Sequence, residues 1–75
     1  MQIRRTKEFA KWLRDRRDMR GRAKIFDRLD RLADGNPGKA RGVGAGIVEL
    51  KIDYGPLWYR VYYVQRGELL ILLLL

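Results

Sequence analysis

Seventy-five residues make one small domain, close to the size at which a single hydrophobic core is only just adequate. The absence of cysteine and histidine excludes disulfides, thiolate metal sites and the usual imidazole acid–base pair, so any catalysis must use Lys, Arg, Tyr, Asp or Glu. Seventeen basic residues against nine acidic ones give a net charge of +8, which favours nucleic acid or another acidic partner over an anionic membrane.

Met1 to Arg5 reads as a short edge strand anchored by Ile3. Thr6 is a good N-cap for a helix in which Phe9, Trp12 and Leu13 recur at helical spacing, with Lys7, Lys11, Arg14 and Asp15 on the other face. Asp18 caps a second helix, whose apolar stripe is Ala23, Ile25, Phe26, Leu29, Leu32 and Ala33. Gly35 suits the position after that helix, and Asn36-Pro37-Gly38 prevents continuation. The two segments form a helical hairpin with both stripes turned to a common partner.

Residues 35–46 are expected to be a loop. Val48, Leu50, Ile52 and Tyr54 then alternate with Ile47, Glu49, Lys51 and Asp53, the pattern of a half-buried strand. A turn at Tyr54-Gly55-Pro56-Leu57 leads to a strand with Tyr59, Val61 and Tyr63 on one face and Trp58, Arg60, Tyr62 and Val64 on the other. Arg66-Gly67 closes a second hairpin. Leu69 to Leu75 lacks alternation, which suits a strand covered on both faces or a central strand. The expected fold class is α+β: a short N-terminal strand and a helical hairpin packed on an antiparallel meander sheet, in one domain spanning 1–75.

The charged face of this sheet carries the candidate chemistry. A hairpin brings Lys51 and Arg60 within cross-strand reach, beside Glu49, and such a cluster grips phosphates. Without histidine, RNA cleavage can proceed by positioning the 2′-hydroxyl for in-line attack while cations stabilise the transition state. Lys51 or Glu49 would then help to remove the proton. A solvated face with an ordinary ion pair is the competing reading, and the commoner one for exposed charge on strands. Tyr62 either stacks on a base or packs, whereas Trp58, beside the turn, is expected to pack. Gly42, Gly44 and Gly46 open a strand rather than a helix, so they permit unusual backbone angles rather than cradle phosphate. Lys39 and Arg41 either add phosphate contacts or belong to a solvated loop. Arg14, Arg16, Arg17, Arg20 and Arg22 crowd the bend between the helices, to meet RNA, ribosome or an acidic protein, or to pair with Asp15 and Asp18.

Several segments together resemble the RelE/ParE toxin superfamily, in particular its phage-related, HigB-type branch of addiction-module killer proteins. They are Phe-Ala-Lys-Trp-Leu at 9–13, Arg-Ala-Lys-Ile at 22–25, Leu-Ala-Asp-Gly-Asn-Pro-Gly at 32–38, Val-Glu-Leu-Lys-Ile-Asp-Tyr-Gly-Pro at 48–56 and Tyr-Arg-Val-Tyr-Tyr at 59–63. The resemblance implies a type II toxin: a ribosome-dependent mRNA endonuclease that inhibits translation and needs neither metal nor cofactor. Its implied partners are mRNA on the ribosome and a small antitoxin, often of helix-turn-helix type. Independently of the resemblance, an N-terminus that lacks an apolar leader and an apolar end far shorter than the roughly 20 residues of a membrane-crossing helix make a cytoplasmic protein the expectation.

Carried onto this sequence, Arg60, Lys51 and Glu49 are the catalytic candidates, and Tyr62, Lys39 and Arg41 the RNA-binding ones. Lys51 and Arg60 match the family's basic positions on its second and third strands. Glu49 stands where RelE-type enzymes have a further lysine. Family members continue past the leucine-rich strand into a last helix, so the resemblance also implies that a C-terminal helix is missing here. Two other functions share the fold: a ParE-like DNA gyrase inhibitor acting by protein contact, and an inactive scaffold that only binds antitoxin. The apolar last strand further points to self-association or a covering partner.

Overall fold

A computed structural model describes residues 1–73, apart from the side chain of Leu57; Leu74 and Leu75 of the expected last strand lie outside the described residues. The elements run β1 (Gln2–Arg5), α1 (Lys7–Arg14), α2 (Met19–Ala33), β2 (Ala40–Gly44), β3 (Ile47–Tyr54), β4 (Leu57–Arg66) and β5 (Leu69–Leu73). The strands form one sheet in the order β1-β5-β4-β3-β2. Both helices lie over one face of it, α1 against β5 and α2 against β3. This is a small α+β architecture in two layers.

Local chemistry sets the helix ends. The Thr6 hydroxyl accepts a hydrogen bond from the Phe9 N–H at 3.2 Å, and the Asp18 carboxylate accepts from the Arg20 and Gly21 N–H groups at 3.1 and 3.2 Å. At the far end of α2, Gly35 takes a φ of +87°. The Gly35 and Asn36 N–H groups then return to the Leu32 and Arg31 carbonyls, both at 2.9 Å, a Schellman closure.

The core follows the expected periodicities. Phe9 and Leu13 come from α1, Ile25, Leu29 and Leu32 from α2, and Leu50, Ile52, Val61, Tyr63, Leu70 and Leu72 from the sheet. All are buried between the layers. The opposite sheet face, the open face, has no helix over it among the described residues.

The structure corrects two expectations and decides a third. Residues 40–44 are not loop but a fifth strand, paired antiparallel with β3 through Ala40–Leu50, Arg41–Glu49 and Gly42–Val48. Its glycines hide it from propensity, because they contribute no side chain to pack and break the alternating pattern. A register shift between Gly42 and Gly44 bends the strand, and Gly44 (φ +104°), Ala45 (φ +55°) and Gly46 (φ +73°) then make the turn into β3. The sheet is also mixed rather than purely antiparallel, since β1 runs parallel to β5. Of the two alternatives for the last strand, the non-edge one holds: β5 is internal to the sheet and covered on one face only, with Leu70 and Leu72 buried and Leu69, Ile71 and Leu73 half-buried on the open face. Over the described residues both edges of β5 are paired, with β1 and β4.

One glycine is required by packing rather than by backbone angle. Gly21 is buried in α2, and a Cβ there would lie 2.5 Å from the Tyr59 hydroxyl and 3.2 Å from its ring. Tyr59 has little room to retreat, because Trp12 meets it edge-on at 6.0 Å between centroids and Tyr54 stacks on it at 6.4 Å. Gly21→Ala gains up to about 1 kcal/mol of helix propensity but overpacks this contact, which costs about 1–3 kcal/mol. Urea unfolding should show a net loss of stability, partly restored by adding Tyr59→Phe. A more stable Gly21→Ala protein would contradict this packing.

Candidate nucleic-acid interface

Strand alternation places Glu49, Lys51 and Asp53 of β3 on the open face, opposite Tyr62, Arg60 and Trp58 of β4. Lys51 and Arg60 are direct cross-strand partners. On the other side, Arg41 of β2 is the partner of Glu49, and the Lys51 N–H donates to the Lys39 carbonyl at 3.1 Å. Three strands and the corner before β2 thus bring Lys39, Arg41, Lys51, Arg60 and Glu49 around one open cavity of about 450 Å³, completed by Ala40. Tyr62 adjoins it, half-buried beside Glu49. All six candidate residues therefore gather in one place. Lys39 and Arg41 belong to an ordered corner and strand, not to a solvated loop.

Glu49 is 7% exposed, the one buried charged residue among those described. An unpaired carboxylate at that depth would be costly. Here Arg41 Nε lies 3.3 Å from Glu49 Oε1 and Arg60 Nε lies 3.9 Å from the same oxygen. The carboxylate thereby aims two guanidinium groups at the cavity from opposite sides. At the cavity's edge, Lys39 Nζ donates to Asp53 Oδ2 at 2.8 Å, and this bond holds the Asp53 carboxyl below its usual range. Four cations against two carboxylates leave the face with a positive excess.

Trp58 lies on the face of Arg60, as the alternation predicts, and is 45% exposed there. Arg60 Cζ lies 4.3 Å and Lys51 Nζ 5.3 Å from its ring centroid, so both cations rest over the indole.

Arg28 was not singled out by the sequence. It projects from α2, where its guanidinium donates to the Lys51 carbonyl at 2.7 Å, the Pro37 carbonyl at 2.7 Å and the Lys39 carbonyl at 3.3 Å. Gly38 (φ +65°) leaves room for it, since a Cβ there would come within 3.0 Å of Arg28 Nη2. Arg28 thus ties the Pro37–Lys39 corner to β3 and holds two site residues in register. A surface-helix arginine that bonds three carbonyls looks like any other in sequence, so no local signal could have found it.

The arginines at the helical bend stand apart from the cavity. Arg16 lies over Trp12 at 5.2 Å and donates through Nε to the Trp12 carbonyl at 3.2 Å. Arg14, Arg17 and Arg20 are exposed. Asp18 serves as the α2 cap and accepts a hydrogen bond from the Tyr54 hydroxyl at 3.2 Å.

Among known proteins, the chain is 42% identical over 74 residues to a Haemophilus influenzae protein described only as uncharacterized, an alignment covering 99% of this chain and 74% of that protein. The chain belongs to the same protein family as this Haemophilus protein. No protein-family model matches the chain. No solved structure matches it. No helix of the described residues is long and apolar enough to cross a membrane.

Two measurements check this geometry. Arg28→Ala removes three bonds from a charged donor, a loss of about 1–3 kcal/mol, and should speed amide exchange at Lys51 before the rest of β3. Uniform exchange across β3 would contradict a local clamp. Asp53 has a lowered folded-state pKa, so its contribution to stability is present above the ordinary value of 3.8 and is lost as pH falls through the folded-state value. The stability difference between wild type and Asp53→Asn should therefore shrink on acidification into that range; a difference independent of pH would rule out the pairing in solution.

Proposed function

We propose that the chain is a RelE-like toxin domain that binds single-stranded RNA on its open sheet face and cleaves it there, acting on mRNA at the ribosome. The observation that carries this reading is the convergence of Lys39, Arg41, Lys51 and Arg60 around one cavity with a buried carboxylate at its base. Convergent cations suit a phosphodiester, and the planar forks of Arg41 and Arg60 suit its equatorial oxygens. The resemblance of residues 48–56 and 59–63 to the superfamily supplies the ribosome and a helix-turn-helix antitoxin as the further parts of the proposal, in a cytoplasmic setting.

The chemistry is in-line transesterification. The 2′-oxygen attacks the adjacent phosphorus and the bond to the 5′-oxygen breaks, leaving a 2′,3′-cyclic phosphate and a free 5′-hydroxyl. Glu49, the carboxylate lining the cavity, accepts the 2′-hydroxyl proton, and the Lys51 ammonium supplies one to the departing 5′-oxygen. Arg60, with Arg41, neutralises the charge that grows on the phosphoryl oxygens. Tyr62 borders the cavity where an adjoining base would lie.

A second reading draws on another observation. Ile47, Val64, Leu69, Ile71 and Leu73 leave the rest of the open face apolar and half-buried, which suits a protein contact such as gyrase inhibition or antitoxin capture. Inducing the chain in cells and mapping mRNA 5′ ends separates the two. The nuclease reading expects codon-phased cuts bearing 5′-hydroxyls, lost by roughly a hundredfold or more in Arg60→Ala. Intact mRNA with DNA damage would favour gyrase inhibition, and toxicity unchanged by Arg60→Ala would remove the proposed site.

A further inference from the structure

Trp58 is an exposed aromatic residue that the core does not use. The helix-facing aromatics of the same hairpin, Tyr59 and Tyr63, pack against the core or belong to it. Trp58 sits instead on the open face, one step along β4 from Arg60 and diagonal to Lys51. Both cations lie over its ring, Arg60 Cζ at 4.3 Å and Lys51 Nζ at 5.3 Å from the centroid. The same two cations line the cavity. Each therefore faces two competing demands, the indole and any phosphate that enters.

From this geometry we infer that Trp58 is a stacking platform for an unpaired nucleobase, covered by Arg60 and Lys51 in the free protein and uncovered when they turn to a phosphate. A cation resting on an exposed ring is a weak interaction, whereas a guanidinium–phosphate pair is a strong one. A phosphate in the cavity draws the cations away, and the vacated ring is then best covered by a flat, apolar, polarisable group attached to that same phosphate. A base fits this description; a bare anion or a lipid headgroup does not. In a duplex the bases are stacked on one another and withheld, so the platform selects single strands. The cavity and the platform lie one strand residue-pair apart, which suits one nucleotide. Phosphate grip and base stacking are thereby coupled through Arg60.

This inference rests on the RNA-binding reading of the face, and the experiment separates the two. Trp12→Phe leaves Trp58 as the sole tryptophan, so its fluorescence and acrylamide quenching report on one ring. Four probes are titrated: inorganic phosphate, a short oligoadenylate, an abasic ribose-phosphate oligomer of equal length, and a blunt RNA duplex. Phosphate and the abasic oligomer should raise quenching as the cations leave, whereas oligoadenylate should lower it. Trp58→Ala should weaken oligoadenylate binding about tenfold and change abasic binding less than twofold, with Trp58→Phe recovering part of the loss. If oligoadenylate binds, Arg60→Ala abolishes it and Trp58→Ala is neutral, RNA binding stands and the platform falls. Equal weakening of the oligoadenylate and abasic oligomers by Trp58→Ala would also overturn it. If no oligomer binds the wild-type protein, the RNA reading and the platform fall together, and Trp58 becomes a candidate anchor for a protein partner.

Discussion

The pairing register of β3 and β4 is the constraint on which the rest of the structure depends. Lys51 opposite Arg60 also sets Leu50 opposite Val61 and Ile52 opposite Tyr59. Because side chains alternate, a slip of one residue would carry Leu50 and Ile52 to the open face and push Lys51 and Glu49 beneath the helices. Each aliphatic side chain lost from the core costs about 1.5–3 kcal/mol, and an unpaired buried charge costs more. The same step would scatter the cations of the cavity. Core and site are two faces of a single register.

Electrostatics then shapes the open face within that frame. A cluster of four cations on a sheet repels itself, and Glu49 offsets this by placing one carboxylate between Arg41 and Arg60. In the resemblance Glu49 is a departure, since it replaces a basic residue. In the fold it aims two guanidinium groups at one opening, which a third cation could not do. Arg28 performs a related task from the opposite layer, where its three carbonyl bonds fix the corner that carries Lys39. The positive face is built as much by what restrains the cations as by the cations themselves.

Much of this was legible in the sequence because it follows from periodicity and capping. Thr6, Asp18 and Gly35 mark the helix ends they predict, and the alternation from Ile47 to Val64 assigns the two sheet faces. Strand β2 was hidden because Arg41 and Val43 are its only side chains larger than alanine, so no alternating pattern survives. The parallel pairing of β1 with β5 was equally hidden, since four residues with one apolar anchor say nothing about direction. Lys51 and Arg60 could be placed together from their hairpin alone. The recruitment of Lys39 and Arg41 needed β2, and the resting of Arg60 and Lys51 over Trp58 needed side-chain positions that alternation alone does not give.

The central claim is that single-stranded RNA engages the open sheet face rather than the arginine-rich bend. Backbone and indole chemical-shift changes on titrating a short single-stranded RNA into isotope-labelled protein address it directly. The account predicts shifts concentrated on Lys39, Arg41, Glu49, Lys51, Trp58 and Arg60, with the Trp58 indole N–H among the largest. Shifts confined to Arg14–Arg22, with the open face silent, would contradict it.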